Sequence, residues 1–264
     1  MHDGHRCSIC LALVLLSACG QPADTAPSAV APPLATAVAS ATANEIAVLR
    51  ERLSALEARK QAIADSNAIK RLQRSFGYYM SEGQWDEVVA LFTEDATLEF
   101  GRDGVYVGRD RIRAWLDAYG GGQAGLREGQ LNEHLLVMPV VTLAGDGRSA
   151  QARWRSIMLL GQFGEQALWG EGPYENTYVK EDGIWKIDTL HWFQTILVPY
   201  EGGWAQHEDF NQGLWVSNTL PPDAPATTSY GYWPETFLPP FSFENPVGRY
   251  QPPPDADSAE EAVP

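Results

Sequence analysis

Tyr178-Val179-Lys180-Glu181-Asp182-Gly183-Ile184-Trp185-Lys186-Ile187 decides the fold. β-Branched and aromatic residues flank the turn sequence Glu181-Asp182-Gly183, so the stretch reads as two strands of a hairpin. Runs of the same character extend on either side. Leu131–Leu143, Ala150–Leu160, Glu165–Lys180 and Trp185–Tyr200 read as strands, separated by turns at Ala144–Gly147 and Gly161–Gly164. Pro139 cannot donate to a ladder, so it predicts an edge or a bulge in the first of them. The second half is thus a long antiparallel meander.

The preceding residues change period. Ile69, Leu72, Phe76 and Tyr79 form a helical stripe that restarts at Asp65 and ends near Gly83. Trp85–Phe92 reads as a short helix, Ala96–Phe100 and Val105–Val107 as short strands, and Arg109–Tyr119 as a helix stopped by Gly120-Gly121-Gly122. Three helices before a meander predict an α+β domain, a curved antiparallel sheet packed against three helices, over residues 65–200. A helical stalk precedes it. In residues 44–64, Ile46, Leu49, Leu53 and Leu56 follow a 3-4-3 spacing, Lys60 interrupts the seam and Ile63 resumes it. This is either a short coiled coil joining protomers or a helix lying on its own domain.

Both ends differ from the centre. Residues 19–43 hold Ala, Pro, Thr and Ser with almost no large apolar side chain, which predicts a disordered tether. Residues 201–264 are rich in Pro and aromatics. Trp204, Phe210, Trp215, Tyr230, Tyr232, Trp233, Phe237, Phe241 and Phe243 are too many for a free tail, so this segment is expected to wrap the domain or pack on a neighbour. Past Gln251 only proline, acid and small residues remain, and disorder is expected.

The apolar run Leu11–Ala18 is too short to span a bilayer, and it ends in Leu16-Ser17-Ala18-Cys19. This resembles the lipobox of bacterial lipoproteins. The resemblance implies a signal peptide over residues 1–18, a lipid on Cys19, and a domain tethered to a bacterial membrane, on the periplasmic side of the outer membrane. Cys7 and Cys10 form a C-x-x-C within the segment that would be removed.

A net charge of −15 over 264 residues argues against nucleic acid and against electrostatic binding to anionic lipid. The chain has no H-E-x-x-H, phosphate loop, Gly-rich dinucleotide turn or G-x-S-x-G. After removal of the signal it would hold only His134, His191 and His207, so neither metal nor cofactor is expected.

Several segments together carry a family resemblance. Ala68-Ile69-Lys70-Arg71-Leu72, Gly83-Gln84-Trp85-Asp86-Glu87, Leu91-Phe92-Thr93-Glu94-Asp95-Ala96 and Val107-Gly108-Arg109-Asp110-Arg111-Ile112 come first. Ala152-Arg153-Trp154 and the hairpin quoted above follow. In this order they resemble SnoaL-like domains of the nuclear transport factor 2-like superfamily. The resemblance implies a cone whose bent sheet encloses a pocket open at one end. Such pockets host dehydratases, isomerases, cyclases and epoxide hydrolases, and also binding and scaffold domains. Within the family, the bile-acid 7α-dehydratase pattern places a Tyr and, five residues on, an Asp on the first helix, a His on the first long strand and an Asp on the next. Here those positions hold Phe76, Ser81, His134 and Met158.

His134 is the leading candidate for a general acid or base. Asn132, His134, Leu136 and Met138 share a strand face under period two. Tyr79, one turn from Phe76, is placed to point its hydroxyl inward. Arg153 and Arg155 alternate onto the face opposite Trp154, and an inward arginine there would hold a carboxylate or an enolate oxygen. Two glycines and a proline in Trp169–Asn176 suggest a bulge where backbone approaches a ligand, with Glu171 as a carboxylate base. His191 is expected opposite His134. The candidate catalytic set is therefore His134, Tyr79, Glu171 and His191, and the ligand-lining set is Phe76, Asn132, Met138, Arg153, Trp169 and Tyr178. The expected activity is a cofactor-independent dehydratase or isomerase acting on a small apolar molecule. The alternatives are a non-catalytic ligand-binding lipoprotein and an oligomeric assembly lipoprotein.

Overall fold

The computed structural model describes residues 33–208 and 216–248, with side chains from residue 42 onward. The signal peptide, Cys19, the first part of the tether, Phe210, Trp215 and the acidic end of the chain lie outside the described residues. Among the described residues, no helix is long and apolar enough to cross a membrane.

The first element, α1, is a single helix over Pro33–Glu82. It begins inside the expected tether and passes through Asp65 without a break. Alanine recurs throughout this stretch and has the highest helix propensity, which explains both departures. Gly83 ends the helix at φ 68°, a left-handed conformation that suits glycine. The buried face of the last turns is Ile69, Gln73, Phe76 and Met80. Leu72 and Tyr79, expected inward, flank it and pack half-buried against the core. The stripe is turned because Gln73 is buried for its polarity. Its Oε1 accepts from Tyr178 Oη (2.7 Å) and from Asn176 Nδ2 (3.1 Å).

The remaining elements are α2 (Trp85–Ala90), β1 (Phe92–Phe100), β2 (Val105–Val107), α3 (Arg109–Tyr119), β3 (Gln130–Leu143), β4 (Ser149–Gln162), β5 (Gln166–Glu181), β6 (Ile184–Trp192) and β7 (Ile196–Pro199), then short helices α4 (Gly203–Gln206) and α5 (Val216–Thr219). The sheet order is β2-β1-β6-β5-β4-β3, with β7 added to β5. The expected meander of β3 to β6 is antiparallel throughout, and the parallel pairing of β1 with β6 makes the sheet mixed where an antiparallel one was expected. Register shifts between Val137 and Val140, between Thr177 and Tyr178, and between Phe92 and Thr97 bend it.

Alternation gives the sheet two distinct faces. Toward α1 and α3 point Leu98 and Phe100, Trp154 and Met158, Tyr174 and Tyr178, and Leu190 and Trp192, all within the core. The opposite face carries Glu99, Arg153, Glu175 and His191, which are also mostly buried. The C-terminal segment lies over that outer face of its own chain. Asp223 pairs with Arg111 (2.8 Å), Thr227 donates through its N–H and hydroxyl to Glu99, and Arg102 sits over the rings of Tyr230 and Tyr232. Arg153 donates to the carbonyls of Pro239 and Pro240.

The expected bulge in Trp169–Asn176 is absent, and β4 and β5 stay in continuous register from Ser149 to Gln162. The glycines serve a chain crossing instead of a ligand. A Cβ on Gly172 would overlap the Phe193 carbonyl oxygen and crowd Trp192 Nε1. Phe193 N–H donates to Pro173 O nearby (2.8 Å). Gly172→Ala should therefore lower the stability to chemical denaturation by about 3 kcal/mol, because backbone cannot yield as a side-chain tip can. An unchanged denaturation midpoint would contradict this packing.

Candidate functional site

The ends of three elements meet around His134. The last turn of α1 lies across the start of β3, and Gly77 makes this possible. A Cβ there would sit 3.0 Å from the His134 carbonyl oxygen. β3 is an edge strand, so its outward N–H groups lack a ladder partner. Ser81 Oγ accepts from the His134 N–H (2.9 Å). α3 ends in Tyr119, whose ring stacks on Trp115 one turn earlier (5.2 Å between centroids, 12° between planes) and meets His134 edge-on at 6.2 Å.

The hydrogen bonds assign the histidine tautomer. Asn132 Nδ2 donates to the Met80 carbonyl (2.7 Å), which can only accept, so the amide orientation is set. Asn132 Oδ1 then faces Tyr119 Oη at 2.7 Å and His134 Nε2 at 3.3 Å. The Tyr119 proton goes to Oδ1, the nearer acceptor. Nε2 is left facing two acceptors, Oδ1 and Tyr119 Oη at 3.2 Å, and carries the proton itself. Nδ1 is therefore a bare lone pair. It is buried and has no hydrogen-bond partner.

Burial holds the ring neutral. His134 is 4% exposed, and desolvation of the imidazolium pulls its pKa down to about 4. Burial likewise raises Tyr119 and Tyr174, keeping both phenols protonated at neutral pH. Trp115 Nε1 and Tyr174 Oη share with Nδ1 the absence of a partner. They belong to one connected set of rings. Phe100 lies 5.2 Å from Trp115 and 6.2 Å from Tyr174 between centroids, and Phe76 lies 6.2 Å from Tyr174. The set thus presents one base and two donors among hydrocarbon, with no formal charge. Among the described residues, no three His, Cys, Asp or Glu side chains gather as metal ligands.

The structure brings together only part of the expected set. His134, Asn132 and Phe76 face the interior. Tyr178 does too, but it is spent in the core on Gln73 and Trp154 Nε1 (3.0 Å). Tyr79 flanks the buried face of α1 and is replaced near the imidazole by Tyr119. His191 lies on the outer face, not opposite His134, because the neighbouring Leu190 and Trp192 both take the core side. It stacks on Phe193 at 3.7 Å, and its Nε2 is 3.4 Å from Glu99 Oε1. Glu171 is also outside, ion-paired with Arg155 at 2.6 Å. Arg153 pairs with Glu175 at 2.6 Å beneath Phe241. Trp169 stacks on Tyr200 at the surface, 5.9 Å between centroids. Met138 sits in the bulge at φ 54°, 73% exposed, because the register shift breaks the period that would have aligned it with His134.

Two large clefts are lined by described residues, and neither is lined by His134. One, of about 1080 Å³, lies between the outer face at Met138, Arg153 and Arg155 and the chain at Pro239–Phe243. The other, of about 760 Å³, lies by the β4–β5 turn, lined by Leu131, Leu160, Phe163, Leu168 and Tyr200.

Sequence reasoning missed Tyr119, Trp115 and Tyr174. A usable signal existed for the first two: an aromatic pair one turn apart, closing a helix ahead of three glycines.

Residues 61–191 match the model of the SnoaL-like domain family. A search of curated proteins gives no match. Among solved structures, the chain is similar to hexachlorocyclohexane dehydrochlorinase LinA-type3 from Novosphingobium barchaimii (16% identity, TM-score 0.47, covering 54% of this chain and 94% of that one). It is also similar to a protein of unknown function from Mycobacterium tuberculosis (22%, 0.44, 53% and 76%). A third is an NTF2-like protein with a cystatin-like fold from Novosphingobium aromaticivorans (20%, 0.41, 53% and 87%). Residues 61–191 match the SnoaL-like domain family, and the described residues form a bent seven-stranded sheet packed against helices.

Proposed function

We propose that this domain binds a small, uncharged, mostly apolar molecule against His134 and moves a proton on it without a cofactor, as an isomerase or lyase. The observation that carries this is the orphaned Nδ1, a buried lone pair whose tautomer is held by Asn132 and Tyr119. Nδ1 takes the proton of a C–H bond beside a carbonyl carbon. The C–H electron pair becomes a new C=C bond as the C=O π bond breaks and its pair moves onto the oxygen. Tyr174 O–H and Trp115 N–H are donors for that oxygen. The oxygen's pair then re-forms the C=O bond. In an isomerisation the proton on Nδ1 goes to another carbon of the conjugated system; in a dehydration it goes to a β-hydroxyl, whose C–O bond breaks as water leaves. A pKa near 4 makes the free imidazole a weak base. The anion forming beside it strengthens it only when ligand is present.

Binding without turnover is the second reading. It is favoured by Ser81 and Met158, which stand where the dehydratase pattern has carboxylates. On either reading, Leu16–Cys19 supports export and a lipid anchor.

Deuterium uptake from D2O by a panel of neutral apolar ketones separates the two. His134→Gln should slow uptake by about 10²-fold or more while tryptophan-fluorescence titration shows little change in binding. Equal loss of rate and affinity would leave binding alone, and uptake indifferent to the substitution would remove His134 from the chemistry. Nitrogen-15 NMR should find Nε2 protonated and Nδ1 bare at pH 7.

The neutral histidines also set an acid limit. His134 and His191 are held near 4 when folded and rise to about 6.5 when unfolded. Below pH 6.5 the unfolded chain takes up protons that the folded chain refuses. Their stabilisation is complete above pH 6.5 and is lost as pH falls toward 4. The thermal midpoint should drop across that window, less steeply in His191→Gln. An equal slope in that variant would mean that His191 charges freely in the folded state.

A further inference from the structure

α1 carries a row of large apolar side chains in solvent. Ile46, Leu49, Leu53, Leu56 and Ile63 are 44 to 65% exposed. With Lys60 they occupy successive a and d positions of one heptad register, at spacings of 3-4-3-4-3 within one helix. A stripe of period 3.5 drifts slowly around a helix of period 3.6, so it stays buried only if two helices supercoil.

The charges beside the seam choose the partner. In this register Glu45, Arg52 and Arg59 fall at g, and Arg50, Glu57 and Ala64 at e. When two copies run parallel and in register, each g residue faces the e residue five positions on in the other copy. Glu45 then meets Arg50, and Arg52 meets Glu57. Both contacts join opposite charges, and twofold symmetry makes each occur twice. Arg59 meets uncharged Ala64. Lys60 stands at an a position, where one polar residue specifies register and oligomer state at some cost in stability.

We propose that a second copy of this chain covers the stripe as a parallel, in-register, two-stranded coiled coil over residues 45–64. The seam is under three heptads, so pairing is weak and depends on concentration.

Sedimentation equilibrium of the purified protein over a concentration series tests this. The mass should rise to twice that of the chain. L53E/L56E should stay at the monomer mass with an unchanged thermal midpoint, since both leucines are exposed and the domain does not need them. Leu53→Cys, with Cys7, Cys10 and Cys19 replaced by serine, should oxidise to a disulfide-linked dimer, because residue 53 meets itself only in the parallel register. A monomer at the highest concentration, or a dimer that survives L53E/L56E, overturns the proposal. A dimer that fails to cross-link through residue 53 overturns the parallel register.

Discussion

The end of α1 and the free edge of β3 satisfy each other, and the site depends on that exchange. A helix leaves its last carbonyls without intrahelical partners, and an edge strand leaves alternate N–H groups bare. Here the Met80 carbonyl takes the Asn132 amide, and the Ser81 hydroxyl takes the His134 N–H. Gly77 lets helix and strand approach, since a Cβ there would sit 3.0 Å from the His134 carbonyl oxygen. Asn132 is oriented by a contact that exists for the fold, and its orientation in turn decides which nitrogen of His134 carries the proton. The chemistry of the imidazole is thus set one step away from it.

The two faces of the sheet use their polar residues differently. On the outer face Glu99 uses both carboxylate oxygens on Thr227, Arg153 and Glu175 form a pair, and Arg155 holds Glu171. These groups are consumed in seating the C-terminal chain or in pairing along the strands. On the inner face the aromatic set leaves Nδ1, a phenol and an indole N–H without partners. An unpaired buried polar group costs about 1–3 kcal/mol, a cost that the proposed ligand would offset. Burial pulls the pKa of both imidazoles down, and each ring keeps one nitrogen without a hydrogen-bond partner. They differ in their neighbours: His191 lies against Phe193 and Glu99, and His134 against Asn132 and Tyr119.

Periodicity carried the strands and most helices. β2 and α3 begin and end where their residue patterns do, and the four long strands differ from expectation mainly at their ends and where the β6–β7 crossing splits the last of them. Long-range chemistry misled the pattern in three places. Gln73 is polar yet buried, so the inward stripe of α1 is turned from the apolar count. Met138 follows a bulge, and period two does not survive a register shift. Gly170 and Gly172 look like a ligand approach but make room for side chain and crossing backbone.

The chain's own order of residues determines an α+β domain, an edge or bulge at Pro139, an inward His134 beside Asn132, and an apolar heptad stripe ahead of the domain. These follow from local rules, since strand alternation, helix period and turn chemistry act over a few residues. Tertiary structure alone decided that Tyr119 rather than Tyr79 meets the imidazole, that Glu171, Arg153 and His191 face away from it, and that the C-terminal aromatics cover the outer face. Each outcome depends on how distant segments cross, and no local period encodes a crossing.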